Sequence, residues 1–394
     1  MLTVLFVDDE PNILQGTRRA TRNMRGTWDM HFVESGDEAL AFMNDRNVDV
    51  VVSDMRMPGM DGAELLGKVR AASPSTARII LSGYAEEEAV FRSTRVAHQF
   101  LSKPCDLDEL RSTIEEIRAC MESVEPEAIR DLIGQLEQLP ALGDVYDELV
   151  DAMDRDDSSN EALGRIVSKD VALTAELLRL INSAFFGLSR QVESVAQAVG
   201  FLGVDVVRAI VAGHSLFSGS AGGVVDVDAI ATRSQTVAAL ARTVFRLEGG
   251  TASEAAEAYL AGMLHQVGVL VLSVLPDVDK SDLAAVLASE DVTNERLVLG
   301  ADRFAVGGYL LGFWGFSPAI VSAITSQANP DDDDQDPVIW ALRVAIEAAR
   351  SGRVQITDED GEVEPLLLEI AAELRAATAP EPATASVKVT EGVG

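Results

Sequence analysis

VDVVVSDMRMPGMDG, residues 48–62, decides the fold of the first half of this chain. Val50 to Val52 is a β-branched run followed by Ser53, the composition of a strand. Asp54 stands at its carboxyl end, PGMDG makes a turn, and the following residues return to a helical period with Leu65, Leu66 and Val69 on one face. Working outward, LTVLFV, MHFV, ARIILS and HQFLS are further strand-like runs between Met1 and Met121, separated by amphipathic stretches. Five strands, each followed by a helix, predict an α/β domain with a five-stranded, doubly wound parallel sheet.

Such sheets bind ligands beyond the carboxyl ends of their strands, and the polar residues fall at those ends. Asp8 and Asp9 close the first strand, Asp54 the third, Ser82 the fourth and Lys103 the fifth, just before Pro104. Three carboxylates brought together repel one another, so the cluster calls for a hard divalent cation, and an open oxygen site suits Mg²⁺. With that cation and the Lys103 ammonium in place, Asp54 is the candidate nucleophile for in-line phosphoryl transfer. GAELLGK at Gly62 to Lys68 has the spacing of a phosphate-binding loop. Val69 replaces the required hydroxyl residue and no strand precedes the run, so it reads as a helix.

VDDE at Val7 to Glu10, SDMRMPGMDG at Ser53 to Gly62, LSGYA at Leu81 to Ala85 and Lys103–Pro104 stand in the order and spacing of a known family. Residues 1–121 resemble the receiver domain of two-component response regulators, which has a flavodoxin-like fold. The resemblance implies that Asp8, Asp9, Asp54 and the Arg56 backbone carbonyl hold Mg²⁺ and that Asp54 accepts phosphate from a histidine kinase. It further implies that Lys103 contacts the phosphoryl oxygens through a chain with a cis bond to Pro104, and that Ser82 is the switch hydroxyl. Phe100 matches the family's rotating aromatic, but with no hydroxyl it can use only the burial part of that switch.

From about Leu132 to Asn329 the pattern is helical almost throughout. DVALTAELLRLINSAFFGL, QAVGFLG, YLAGMLHQVGVLVL and GGYLLGFWGFSPAIVSAI together resemble the HDOD domain, a non-catalytic relative of the HD phosphohydrolases, with NSAFFGL the most specific local signature. An all-α, HD-like second domain follows from that resemblance. HD enzymes combine dispersed histidines with a His-Asp doublet, because borderline divalent ions need imidazole and carboxylate together. Here His265 is followed by Gln266, and Arg233, Arg303 and Ser326 to Ala328 stand where the resemblance expects other histidines. His265 and His214 therefore read as core residues, and the two arginines as partners of buried acids or of an anion. Phe185, Phe186, Phe313, Trp314 and Phe316 read as core packing rather than as a ligand cage.

The chain has 394 residues, 64 acidic against 32 basic, for a formal charge of −32. The first 121 residues hold 20 acidic and 14 basic residues and the remainder 44 and 18, so the helical part sets the global field. That field disfavours DNA and RNA, and no basic recognition helix stands out. Cys105 and Cys120 lack CxxC spacing, and MLTVLFVDDE lacks a basic leader, so a reducing cytoplasm is expected. The uncharged stretch from Ala258 to Pro276 contains His265, Gln266 and glycines and reads as a buried helix, not a membrane span.

The expected organisation is a receiver over 1–121, a helical connector over 122–135 and an HDOD domain over 136–330. An acidic turn with C-terminal helices over 331–377 and a disordered tail over 378–394 complete it. The connector, SVEPEAIRDLIGQLEQLP, has a helical period that could extend the preceding helix as a stiff link. The expected function is a phosphorylation-dependent response regulator with a histidine kinase upstream. Its helical output binds a protein partner instead of catalysing, and a homodimer is compatible with the exposed receiver faces. The alternative is a receiver-regulated HD-type phosphodiesterase acting on a cyclic dinucleotide.

Overall fold

The computed structural model describes residues 1–82, 96–124, 126–136, 159–181, 194–202, 224–276, 278–329, 336–351 and 367–371, with positions 145, 148–149, 151–152, 192, 207 and 365 between them. NSAFFGL with Phe185 and Phe186, His214, most of the acidic turn, the tail over 378–394 and the Ser82 side chain lie outside the described residues.

Five strands, β1 Leu2–Val7, β2 Trp28–Val33, β3 Val50–Asp54, β4 Ala77–Ser82 and β5 Gln99–Ser102, form one parallel sheet in the order β2-β1-β3-β4-β5. β3 is buried along its whole length, as a central parallel strand must be, whereas β2 at the edge is half-buried beyond Trp28. Helices α1 Pro11–Ala20, α2 Gly36–Asp45, α3 Gly62–Ala72 and α4 Leu107–Ser123 flank the sheet. Ser35, Asp61 and Asp106 cap the last three, each accepting a hydrogen bond from a backbone N–H in the first turn. The strand order reverses between β1 and β3, which puts Asp8 and Asp54 at the mouth of the same crevice.

The rest of the described chain is helical: α5 Glu127–Gln135, α6 Asn160–Val167, α7 Val171–Ile181, α8 Val195–Leu202, α9 Val227–Leu247, α10 Ala252–Leu264, α11 Val267–Leu272, α12 Lys280–Ala288, α13 Val292–Leu299, α14 Arg303–Phe313, α15 Pro318–Thr325 and α16 Pro337–Ser351. α9 lies along α10 and α16, and α14 packs on α11 and α15. Phe313, Trp314 and Phe316 are buried, as core packing requires. Glu254–Leu272 is the one described stretch long and apolar enough to cross a membrane, and 83% of it is buried inside the protein, in agreement with a core role.

The connector departs from the expected stiff extension. Val124 is extended (φ −126°, ψ 106°) and ends α4, and Pro126 then caps α5. Proline has no N–H to continue the preceding helix, so the chain breaks and α5 folds back against the sheet domain. One apolar cluster runs from Val4, Phe6 and Ile79 through Ile114 and Ile117 of α4 and Ile133 of α5 to Leu177 and Tyr309 of the helical domain. The opposite face of the sheet, with Leu5, Val51, Leu65 and Ile80, has a separate core.

Candidate functional site

The loop after β3 is shaped by close backbone contact. The Gly62 N–H donates to the Met55 carbonyl at 2.8 Å, and a Cβ at Gly62 would lie 2.2 Å from the Asp54 carbonyl oxygen, so only glycine lets α3 start this close to the end of β3. Asp61 accepts from the Glu64 N–H and fixes the helix entry. Asp54 is thereby held at the bottom of the crevice, where its Oδ1 accepts from the Met55 N–H at 2.8 Å.

Lys103 joins the two buried acids. Its Nζ lies 2.7 Å from Asp54 Oδ1 and 2.9 Å from Asp8 Oδ2, and the peptide bond to Pro104 is cis. Asp8 and Asp54 are buried and Asp9 is half-buried, and one carboxylate oxygen from each of the three lies within 4.8 Å of the others. Three carboxylates and one ammonium leave the crevice two negative charges in excess. Burial raises the Asp54 carboxyl above its ordinary value, with Asp8 adding to the effect and Lys103 opposing it. Burial pulls the Lys103 ammonium down, but its bonds to Asp54 and Asp8 outweigh this and hold it above its ordinary value. Arg56 is exposed two residues beyond Asp54 at the rim. Phe100 is buried in the same apolar cluster as Met55 and Ala97, and Ser82 closes β4 in register with Ser102.

The histidine region of the helical domain is arranged differently. His265 is buried, its Nδ1–H donates to the Gly262 carbonyl at 2.6 Å, and burial, reinforced by Arg233 and Arg303, lowers its pKa to about 4. Gln266 Oε1 is buried without a hydrogen-bond partner among the described residues. Arg303 is neutralised by fully buried Glu295, to which it donates from its backbone N–H at 2.8 Å and its Nε at 2.6 Å, and it also donates to the Leu287 carbonyl. Arg233 pairs with Glu290. Both guanidiniums are thus matched by acids, and the expectation that they could hold an anion is corrected: the charge they would offer is already compensated. Among the described residues the only cluster able to hold a metal is the acidic trio of the sheet domain.

Sequence reading missed the residues that join the two domains. Gln99 of β5 donates through Nε2 to the Gly312 carbonyl of α14 at 3.1 Å, and Arg179 of α7 donates to the Ala97 carbonyl two residues before β5. The His98 ring lies 4.0 Å from that of Phe313, and the Arg179 guanidinium stands over Trp314. Cys120 of α4 sits under Gly312, where a Cβ would be 2.1 Å from its Sγ. Buried Arg78 donates to the carbonyls of Pro74, Val96 and Gly134, tying α5 to the sheet. The only signals for this seam were an arginine inside the apolar run LTAELLRLI and the glycines of GGYLLGFWG.

A parallel five-stranded sheet with a buried, lysine-bridged acid trio at its switch point defines a receiver domain. Comparison with known proteins agrees. The response regulator receiver domain family matches residues 4–115 and the HDOD domain family matches residues 139–330, so the chain belongs to the response regulators and joins these two domains. YesN, an uncharacterized transcriptional regulatory protein of Bacillus subtilis, is 37% identical over 30% of this chain and 33% of its own length. The sensor kinase CckA of Brucella abortus is 41% identical over 29% of this chain and 12% of its own. The chain thus spans a third or less of these relatives. The MmoQ response regulator of Methylococcus capsulatus is a structural neighbour at 23% identity, TM-score 0.49, covering 62% of this chain and 98% of its own.

Proposed function

We propose that this response regulator is switched by phosphorylation of Asp54 and that its HDOD domain is a binding output, not a catalyst. The carrying observation is the excess of two negative charges in the acid trio, with Lys103 bridging Asp8 and Asp54. An all-oxygen donor set with one half-buried carboxylate open to water fits Mg²⁺, and Asp8, Asp9, Asp54 and the Arg56 carbonyl are the residues that would hold it. Bound there, it would supply charge neutralisation for an incoming phosphoryl group.

The phosphate donor is a histidine kinase. An Asp54 carboxylate oxygen attacks the phosphorus of the phosphohistidine, a P–O bond forms as the P–N bond breaks, and the histidine nitrogen leaves with the electron pair. Lys103 then exchanges its bond to Asp54 for the new phosphoryl oxygens, which are poised for a cation on that side. Ser82 is drawn to the phosphoryl group, and buried Phe100 repacks beside it. Both act on β4 and β5, and Gln99 of β5, with Ala97 just before the strand, bonds directly to the helical domain. The proposed route of output is therefore the β5 and α4 contact with α14, with residues 122–135 moving as the joint.

Binding is favoured over phosphodiesterase chemistry because Arg303–Glu295 and Arg233–Glu290 use the positions a metal site would need. The test is intact-mass analysis after incubation with acetyl phosphate and magnesium. The wild type gains one phosphoryl group and Asp54→Ala gains none; an unchanged wild-type mass rejects the proposal.

A further inference from the structure

A cavity of about 560 Å³ opens between α6, α8, α9 and α10 of the helical domain, a size that suits a small organic ligand. Arg165 of α6 and Arg242 and Arg246 of α9 line it, and all three are exposed. This is the reverse of the local average, because the chain beyond residue 121 carries 44 acidic against 18 basic residues. Four other basic residues of this region pair with acids: Lys169 with Glu148, Arg233 with Glu290, Arg296 with Asp302 and Arg303 with Glu295. Among the described residues, none of the three cavity arginines has a carboxylate partner. Arg165 donates to the Glu161 backbone carbonyl at 3.4 Å, and Arg242 lies over the Tyr259 ring, 5.2 Å from its centroid.

Arg242 and Arg246 stand four residues apart on one helix, a spacing at which like charges repel, and Arg165 adds a third charge from another helix. Three converging cations against a smaller number of carboxylates are stabilised by an anion from outside. Among the described residues Glu161 is the one carboxylate on the wall, which leaves two positive charges in excess there and matches a phosphate monoester dianion. Guanidinium forks bind phosphate oxygens in pairs. The remaining wall, with Val195 and Tyr259, is apolar enough to receive an organic group and is not needed by a bare ion.

We infer that this cavity is a binding site for a small phosphorylated metabolite of about nucleotide size, separate from the acid trio and from the His265 region, with which it shares no residue. The test is calorimetric titration of the full-length protein in EDTA, which keeps the acid trio out of phosphate binding. The probes are adenosine monophosphate, glucose 6-phosphate, adenosine and a glutamate-rich peptide. At least one phosphate ester is expected to bind, adenosine is expected not to, and Arg242→Ser/Arg246→Ser is expected to weaken the ester by about tenfold or more. Circular dichroism checks that the variant is folded, which the exposure of both residues predicts. Equal binding by wild type and variant overturns the inference, as does no ester binding at millimolar concentration. Binding of the glutamate-rich peptide alone also overturns it and assigns the cavity to an acidic protein surface.

Discussion

The acid trio of the sheet domain and the His265 region of the helical domain are both clusters of polar and charged groups, yet they are balanced in opposite ways. In the trio one ammonium serves three carboxylates, and the shortfall is left for a ligand. Around His265 the books close internally: Glu295 cancels Arg303, Glu290 cancels Arg233, and the imidazole is held neutral. Polar residues at a family's site positions do not make a site. What distinguishes one is charge that the fold leaves uncompensated and accessible.

The sharpest way to break this comparison is to alter the deficit. Lys103→Ala removes the single ammonium, so the cation should bind more tightly while phosphorylation by acetyl phosphate slows by about a hundredfold or more, since a positioned donor to the phosphoryl oxygens is lost. Magnesium titration by calorimetry, paired with intact-mass time courses, separates the two effects. A variant that loses both cation affinity and phosphorylation would mean that Lys103 builds the site rather than competing within it.

The converse change unbalances the closed cluster. Glu295→Gln leaves the buried Arg303 guanidinium without its counter-charge and should destabilise the helical domain by about 3 to 5 kcal/mol in urea unfolding. A double change, Glu295→Gln with Arg303→Met, should recover most of that loss. If the single variant is neutral, Arg303 has another anion and the balance described here is wrong.

Acid should discriminate as well. His265 has a pKa near 4 in the folded chain against about 6.5 when unfolded. Its contribution is fully present above pH 6.5, because there both states hold a neutral ring. As pH falls from 6.5 towards 4 the unfolded state takes up the proton and the folded state does not, so stability declines by about 3 kcal/mol across that window. Buried His98, lowered in the same direction by burial and by Arg78, adds to the slope. Urea midpoints at pH 7 and pH 5 measure it, and His265→Gln should flatten it.

The sheet and the acid trio were legible because both depend on local pattern. β-branched runs announced the strands, and Asp8, Asp54 and Lys103 stand at their ends, where topology alone brings them together. The fate of Arg303 was half legible: an arginine in a histidine position argued against a metal, but Glu295 as its partner required the fold of α13 against α14. The domain seam was not legible. Gln99, Arg179 and Gly312 are distant in sequence and of ordinary type, and only the packing of β5 against α14 makes them contacts. The break of the connector at Val124 and Pro126 was foreshadowed by the proline, although the helical period around it argued for continuity.

The smallest expected effect bears on whether the two clusters are connected. Gln99→Ala removes one neutral hydrogen bond, Nε2 to the Gly312 carbonyl, and should cost only about 1 kcal/mol of global stability. It lies on β5, immediately before Phe100 and four residues before Lys103, and so stands between the acid trio and the helical domain without belonging to either. Phosphorylation of the variant should therefore proceed at the wild-type rate. Hydrogen exchange in α14 should rise in the unphosphorylated variant and respond less to acetyl phosphate than in the wild type. An α14 response identical in both proteins would remove the Gln99 bond from the output and leave the Arg179–Ala97, His98–Phe313 and Cys120 contacts as the remaining routes.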